Sequence, residues 1–158
     1  MGMEFYGKSY KSNDEPIFVG IPTFLKLPWL RSHEELKSVK PDVAVIGEPF
    51  DFGTTIRPGA RYGPRAIRAA STVPSPPYEH FNIETGVDPF GVFRTVDYGD
   101  VNVSPGDVVE SHRRMTDKVK EVLDIDGIPI MLGGDHSITF ANVRAFAKKY
   151  KNIGMIHI

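Results

Sequence analysis

The sequence predicts an α/β fold, with helices on both faces of a mostly parallel β-sheet. Short apolar runs alternate with longer segments in which apolar residues recur at helical spacing, as in strand–helix–strand units. One run, within residues 42–47, is unbroken and ends in glycine, which is typical of a strand buried on both faces. The alternation of strand and helix along the chain predicts parallel strands with helices on both faces. We therefore expect three layers, α/β/α.

Composition and charge exclude several classes of protein. The 158 residues are 41% hydrophobic and 25% charged, as in an ordinary folded domain. Basic and acidic residues number 19 and 20, so the basic excess of nucleic-acid-binding proteins is absent. Cysteine is absent, which excludes disulfides and cysteine zinc sites. No apolar run reaches the roughly 18 residues of a membrane span, and no signal peptide is recognised, so we expect a cytoplasmic protein without a membrane partner.

Residues 1–40 are predicted to form an N-terminal arm. Prolines interrupt this segment at three places: Pro16, Pro22 and Pro28. The apolar residues between them are too many for a solvated tail, so the arm is expected to pack on its own subunit or on a neighbouring one. Near its end, Ser32 and Glu35 have capping-box spacing, which predicts a short helix over residues 32–39.

Four strands are predicted along the chain, each a short apolar run bounded by turn residues. They cover residues 42–47, 93–98, 128–132 and 153–158. Pro129 must lie near the start of the third strand because proline cannot donate to the ladder. The sheet is expected to be truncated after the fourth strand, where the sequence ends. Ligands of such sheets bind beyond the carboxyl ends of the strands.

Helices are predicted between the strands. The first begins at Pro64 and reaches about Ser71, with an inward face formed by Ala66, Ile67 and Ala70. The second begins at a capping Ser104 and runs to about Leu123. Its inner stripe follows the helical period and consists of Val108, Met115, Val119 and Val122. The third covers about 138–150.

The turn G-G-D-H-S at residues 133–137 is the strongest local signal for chemistry. Its glycines allow a sharp turn where a strand becomes a helix. His136 is then placed as a metal ligand, with Asp135 as the carboxylate that orients such a ring. In the alternative interpretation, Asp135 or Ser137 caps the following helix and His136 bonds only to backbone. One histidine does not make a metal site.

The segment at residues 47–68 carries four arginines, which are Arg57, Arg61, Arg65 and Arg68. These side chains are candidates to clamp a phosphate or carboxylate near a helix N-terminus. The alternative, which the residues favour, is that they pair with acids such as Glu48 and Asp51 and keep the loop rigid. No phosphate-binding glycine motif is present. An unrelated doubly wound domain that binds a small anion here is a third possibility.

Three other polar residues lie in or beside predicted strands. Asp97 and Asp100 flank the end of the second strand, where they serve either as ligands or in a turn. His157 lies between two isoleucines in the fourth strand, and we expect it to be buried and hydrogen-bonded there.

Three segments together resemble a known family. They read G-E-P-F-D-F-G-T-T, R-P-G-A-R-Y-G-P-R-A-I-R and G-G-D-H-S, at residues 47–55, 57–68 and 133–137. In this order they resemble the ureohydrolases, that is, arginases, agmatinases and related guanidino-acid hydrolases. The form R-P-G-A-R-x-G-P is most similar to the agmatinase branch, as is the arm at residues 21–28.

This resemblance implies an arginase-like three-layer fold and a pair of Mn²⁺ ions, with nickel as an alternative. It implies that His136 is a metal ligand, that Asp135 supports it without touching metal, and that Asp51, Arg57 and Arg61 belong to a structural loop near the site. A metal-bridging hydroxide would attack the guanidinium carbon and release urea. The resemblance does not specify which small guanidino compound is the substrate. Relatives form trimers or hexamers, so a homo-oligomer is expected.

The resemblance also implies that part of the catalytic apparatus is missing. The family's D-A-H-x-D motif follows a strand like residues 154–158, and a D-x-D pair comes later; neither is in this sequence. Residues 41–158 are therefore expected to be the N-terminal half of a ureohydrolase domain, inactive alone. The alternative is a half-domain that acts as a structural or assembly module.

Overall fold

A computed structural model describes residues 18–72 and 81–158 of the chain. Within them, three parallel strands form one sheet in the order β2-β1-β3. The strands are β1 (Val43–Glu48), β2 (Thr95–Asp100) and β3 (Ile128–Gly133). The helices are α1 (His33–Val39), α2 (Gly63–Ser71), α3 (Pro89–Val92), α4 (Val108–Asp124) and α5 (Ile138–Lys149), with short 3₁₀ helices at Phe24–Lys26 and Ala60–Tyr62.

The predicted three layers are confirmed by the side chains of β1, which alternate between two apolar clusters. Ala44 and Ile46 belong to the larger cluster, together with side chains from α1, α4 and α5. Val45 points to the other face, where it packs with Leu27 and Leu132. Because β1 lies between two strands and two layers, all six of its residues are buried.

The predicted capping of α1 is confirmed. The Ser32 hydroxyl accepts a hydrogen bond from Glu35 N at 3.2 Å, and the Glu35 carboxylate accepts from Arg31 N at 2.7 Å. The predicted start of α4 is wrong by one turn, since Asp107 and not Ser104 caps this helix. Gly106 has a φ of +83°, which a right-handed helix cannot include, so the helix begins only after it.

The predicted inward face of α2 is wrong. Ala66, Ile67 and Ala70 are exposed, and the buried side chains of this helix are those of Pro64 and Arg68. Arg68 lies inward because its guanidinium binds the carboxylates at the end of β2.

One residue of the predicted inner stripe of α4 is wrong, because Val108 is 43% exposed. The other three residues of the predicted stripe are fully buried.

The predicted fourth strand is not formed. Residues 151–158 are exposed and make no β-ladder within the part of the chain that the structure describes. A strand requires a hydrogen-bonding neighbour, and here the sheet stops at β3, where Ile128 and Ile130 stay about half exposed. The expectation that His157 is buried is wrong for the same reason.

The described part of the N-terminal arm packs on its own chain. Asp97 N donates to Pro28 O and Leu30 N donates to Asp97 O, both at 2.9 Å, so the arm extends the sheet beside β2. Leu27 and Leu30 of this segment are buried in the two apolar clusters. Residues 1–17, the rest of the predicted arm, lie outside the described residues. None of the described helices has the length and apolar character needed to cross a membrane.

A buried acid ends the central strand. Glu48 has no exposed surface, and one carboxylate oxygen, Oε2, accepts from Asn142 Nδ2 on α5 at 2.9 Å. The other oxygen, Oε1, and Asn142 Oδ1 are both buried without a partner among the described residues. Burial raises the pKa of Glu48 to about 7. A proton on Glu48 would supply the donor that these two acceptors lack.

We predict that Glu48→Gln makes the protein more stable above neutral pH. Between the ordinary pKa of 4.5 and about 7, the unfolded chain releases the Glu48 proton while the folded protein keeps it. The free energy of unfolding of the wild type therefore falls as the pH rises through this window, by about 3 kcal/mol, since one pKa unit corresponds to about 1.4 kcal/mol. Glutamine keeps the shape and does not titrate.

The measurement is urea unfolding at pH 5 and pH 8. Glu84→Gln, which changes an exposed carboxylate, serves as the control and should keep the pH dependence of the wild type. An equal loss of stability with pH in Glu48→Gln would contradict the prediction.

Candidate functional site

The three strands end at one edge of the sheet, and their following loops meet there. Gly134 packs so closely on the end of β1 that a Cβ atom would lie 2.5 Å from Glu48 O and 2.6 Å from Phe50 O. A Cβ atom on Gly63, the first residue of α2, would collide with the Gly133 carbonyl oxygen. Glycine at these positions thus allows the 133–137 turn, the loop after β1 and the start of α2 to touch.

Asp135 joins two of these segments through its carboxylate. One oxygen accepts from Gly53 N at 2.6 Å, and the other accepts from Ser137 N at 2.8 Å and Ser137 Oγ at 2.5 Å. Its own backbone N donates to Phe50 O at 2.8 Å. Asp135 is 9% exposed, so these bonds are largely shielded from water. The carboxylate thus forms a turn with Ser137, the N-cap residue of α5, and fixes the loop after β1. The capping interpretation is wrong, because no side chain among the described residues caps α5.

His136 is exposed at the same edge, and its ring faces outward from the turn. Its ring centroid lies 5.1 Å from that of His157, with the two planes at 60°. No hydrogen bond within the described residues reaches either ring nitrogen of His136, so the interpretation in which it bonds to backbone is wrong here. The ring is therefore open to a metal ion.

Asp51 organises the long loop after β1. Its buried carboxylate accepts from Gly59 N at 2.7 Å and from Arg61 Nε at 2.6 Å. The Arg61 guanidinium, held by this ion pair, lowers the pKa of Asp51 to about 2. Arg61 also lies over the Phe52 ring, 5.1 Å from its centroid. The predicted rigid acid–arginine loop is confirmed for this pair.

A buried arginine connects α2 to β2. Arg68 donates from Nε and Nη2 to the two carboxylate oxygens of Asp97, at 2.7 and 2.9 Å, and also binds Asp100. The rigid-loop interpretation therefore holds for Arg68 as it does for Arg61, although with different acids. Glu48, which we expected to pair with an arginine, binds Asn142 instead.

Arg57 and Arg65 are the two arginines of this segment for which the structure gives no ion pair among the residues it describes. Arg65 lines a pocket of ≈ 300 Å³ beside the loop after β1, which we name the edge pocket. Its walls are Pro49, Phe52, Arg61, Tyr62, Arg65, Asp100, Val103 and Pro105. This pocket could not be predicted from the sequence, because its walls come from three separate segments.

A two-metal site is not complete in the described residues. No three histidine, aspartate or glutamate side chains in ranges 18–72 and 81–158 come close enough to hold a metal ion. His136 and His157 provide two imidazoles at this edge, and a manganese pair needs several further oxygen or nitrogen ligands. The residues described thus do not fit such a pair by themselves.

Comparison with known families identifies the chain. A family model described as the arginase family matches residues 41–158. The chain belongs to the arginase family. The ureohydrolase resemblance of the three motifs is thereby confirmed, as is the arginase-like fold.

Individual relatives support the same assignment. The guanidinobutyrase of Pseudomonas aeruginosa is 38% identical over 146 residues, and the mitochondrial agmatinase of Gallus gallus is 39% identical over 140 residues. These matches cover 92% and 89% of this chain but only 44% and 38% of the relatives. A solved formiminoglutamase of Trypanosoma cruzi with Mn²⁺ has a TM-score of 0.62 and 27% identity, over 83% of this chain and 41% of its own. The chain thus spans less than half the length of these arginase-family relatives.

We predict that Asp135→Asn loosens the loop after β1. Asparagine offers one acceptor oxygen where Asp135 serves Gly53 N and Ser137 together, so one hydrogen bond to a charged group is lost, at about 2 kcal/mol of unfolding free energy. Amide hydrogen exchange at Gly53 should accelerate. Asp107→Asn is the control, because asparagine caps a helix as well as aspartate does. Unchanged exchange at Gly53 would show that Asp135 does not hold this loop.

Proposed function

We propose that this chain forms part of a metal-dependent hydrolase that cleaves a guanidino compound and releases urea. The single observation that carries the proposal is the G-G-D-H-S turn, which presents an exposed His136 at the ligand-binding edge of an arginase-family sheet. Relatives of this chain bear the names guanidinobutyrase and agmatinase, which supports a guanidino compound as the substrate.

The proposed cofactor is a pair of Mn²⁺ ions, with Ni²⁺ as the alternative. A member of the family has been solved with Mn²⁺, which supports manganese, whereas imidazole as a ligand suits Ni²⁺. His136 is proposed as one ligand, and Asp135 is proposed to hold its turn in place through Gly53 and Ser137. The further ligands must come from outside the described residues.

The 158-residue chain alone is proposed to be inactive. Its described residues lack a complete metal site, and the relatives it matches are more than twice as long. The second candidate function, a non-catalytic assembly module, is favoured by the open edge of β3, where Ile128 and Ile130 are half exposed. Metal-dependent urea release by the full-length protein distinguishes the two functions.

We also propose that the protein forms a homo-oligomer, either a trimer or a hexamer, and that it is cytoplasmic. Large apolar side chains exposed on the arm and on α2 support self-association; these are Phe18, Ile21, Trp29 and Ile67. A chain without cysteine is compatible with a reducing compartment.

The test of activity is urea release by the purified full-length protein in the presence of Mn²⁺. Agmatine, 4-guanidinobutyrate and 3-guanidinopropionate are offered separately, and at least one is expected to yield urea. The 158-residue chain, measured in parallel, is expected to yield none. If the full-length protein released no urea from any guanidino compound, the hydrolase proposal would be wrong and the assembly module would be favoured.

We predict that His136→Ala lowers the bound Mn²⁺ per subunit of the full-length protein. The exposed ring makes no hydrogen bond within the described residues, so its removal should shift the free energy of unfolding of the metal-free protein by less than about 0.5 kcal/mol. Atomic absorption measures the metal, and circular dichroism checks the fold. His33→Ala, a histidine beside Glu121, is the matched control. Unchanged metal stoichiometry in His136→Ala would overturn the assignment.

A further inference from the structure

The edge pocket combines mostly apolar walls with an arginine that has no ion pair among the described residues. Five of its eight lining residues, Pro49, Phe52, Tyr62, Val103 and Pro105, are apolar or aromatic. The three charged residues differ in how they are partnered. Arg61 is held by Asp51, and Asp100 binds Arg68, which leaves Arg65 without an ion pair within the residues described.

Arg65 therefore presents a guanidinium whose donors are available to a ligand. A guanidinium binds a carboxylate through two parallel hydrogen bonds, and short apolar walls suit a methylene chain. Asp100, the one acid in the pocket wall, binds Arg68, and no ion pair joins it to Arg65 among the described residues. A ligand with a carboxylate at one end and a short alkyl chain matches these features.

The pocket is directly connected to the turn that carries His136. Tyr62 in its wall precedes Gly63, which packs on the Gly133 carbonyl. Phe52, also in the wall, precedes Gly53, whose backbone N donates to Asp135. The pocket and His136 thus belong to one rigid group of loops at the carboxyl edge of the sheet, the edge at which α/β proteins bind substrates.

We propose that the edge pocket receives the carboxylate end of a guanidino acid, and that Arg65 selects such acids over agmatine. This inference rests on the proposed guanidino hydrolase function and adds the substrate class to it. Agmatine ends in an ammonium group, which the unpaired Arg65 repels. A guanidino acid of similar length ends in a carboxylate, which Arg65 binds.

The experiment compares kcat/KM for 4-guanidinobutyrate and agmatine in the full-length protein with Mn²⁺. The wild type should prefer 4-guanidinobutyrate. Arg65→Met should lower the ratio of the two kcat/KM values at least about tenfold, because the two charge-assisted hydrogen bonds to the carboxylate are lost. Arg65→Lys keeps the charge and should retain most of the preference. Lys148→Met, in the last turn of α5 and therefore away from the carboxyl edge, should leave the ratio unchanged.

The outcomes separate this inference from the function on which it rests. If the wild type hydrolysed neither compound, both the proposed function and the inference would be wrong. If it released urea but preferred agmatine, or if Arg65→Met and Lys148→Met gave the same ratio, the inference alone would be overturned. A ratio that falls in Arg65→Met and recovers in Arg65→Lys, with unchanged melting temperatures, supports it, because a purely structural role would affect both substrates equally.

Discussion

The close approach of the 133–137 turn to the end of the central strand is the constraint on which the rest of the edge depends. Gly134 lies against two main-chain carbonyls, with no room for a side chain. This contact brings Asp135 within reach of Gly53 and leaves His136 to face solvent. The positions of the loop after β1 and of α2 therefore follow from a backbone contact. The polar side chains then hold these segments in the positions that the contact permits.

The charged residues at this edge divide into two groups with different roles. Asp51 with Arg61, and Asp97 with Arg68, are pairs of a buried acid and an arginine that make the loops rigid. Removing one partner of such a pair leaves an uncompensated charge, which is strongly destabilising. Arg57 and Arg65 have no such role within the described chain. An arginine without a structural partner, beside others that have one, is the residue most open to a ligand.

Much of the fold could be predicted from the sequence because its signals are local. The apolar run of β1, the cap at Ser32 and the glycine turn before His136 each depend on neighbouring residues. The inward face of α2 could not be predicted, because Arg68 becomes buried only through acids about thirty residues later. The prediction of a fourth strand was wrong for a related reason, because an apolar run forms a strand only beside a pairing partner. At the site, Asp51 with Arg61 was predicted, and the edge pocket was not, since three distant segments form it.

The topology of the sheet has a consequence for how the chain acquires its structure during synthesis. Val43 of the central strand pairs with Thr95 on one side and Ile128 on the other, so neither neighbour exists when β1 leaves the ribosome. Contacts of such long sequence separation form slowly compared with helices. The fully buried central strand must therefore remain unpaired while α2 and α3 are synthesised. We therefore expect slow refolding and dependence on chaperones, because the central strand is synthesised before either of the strands that pair with it.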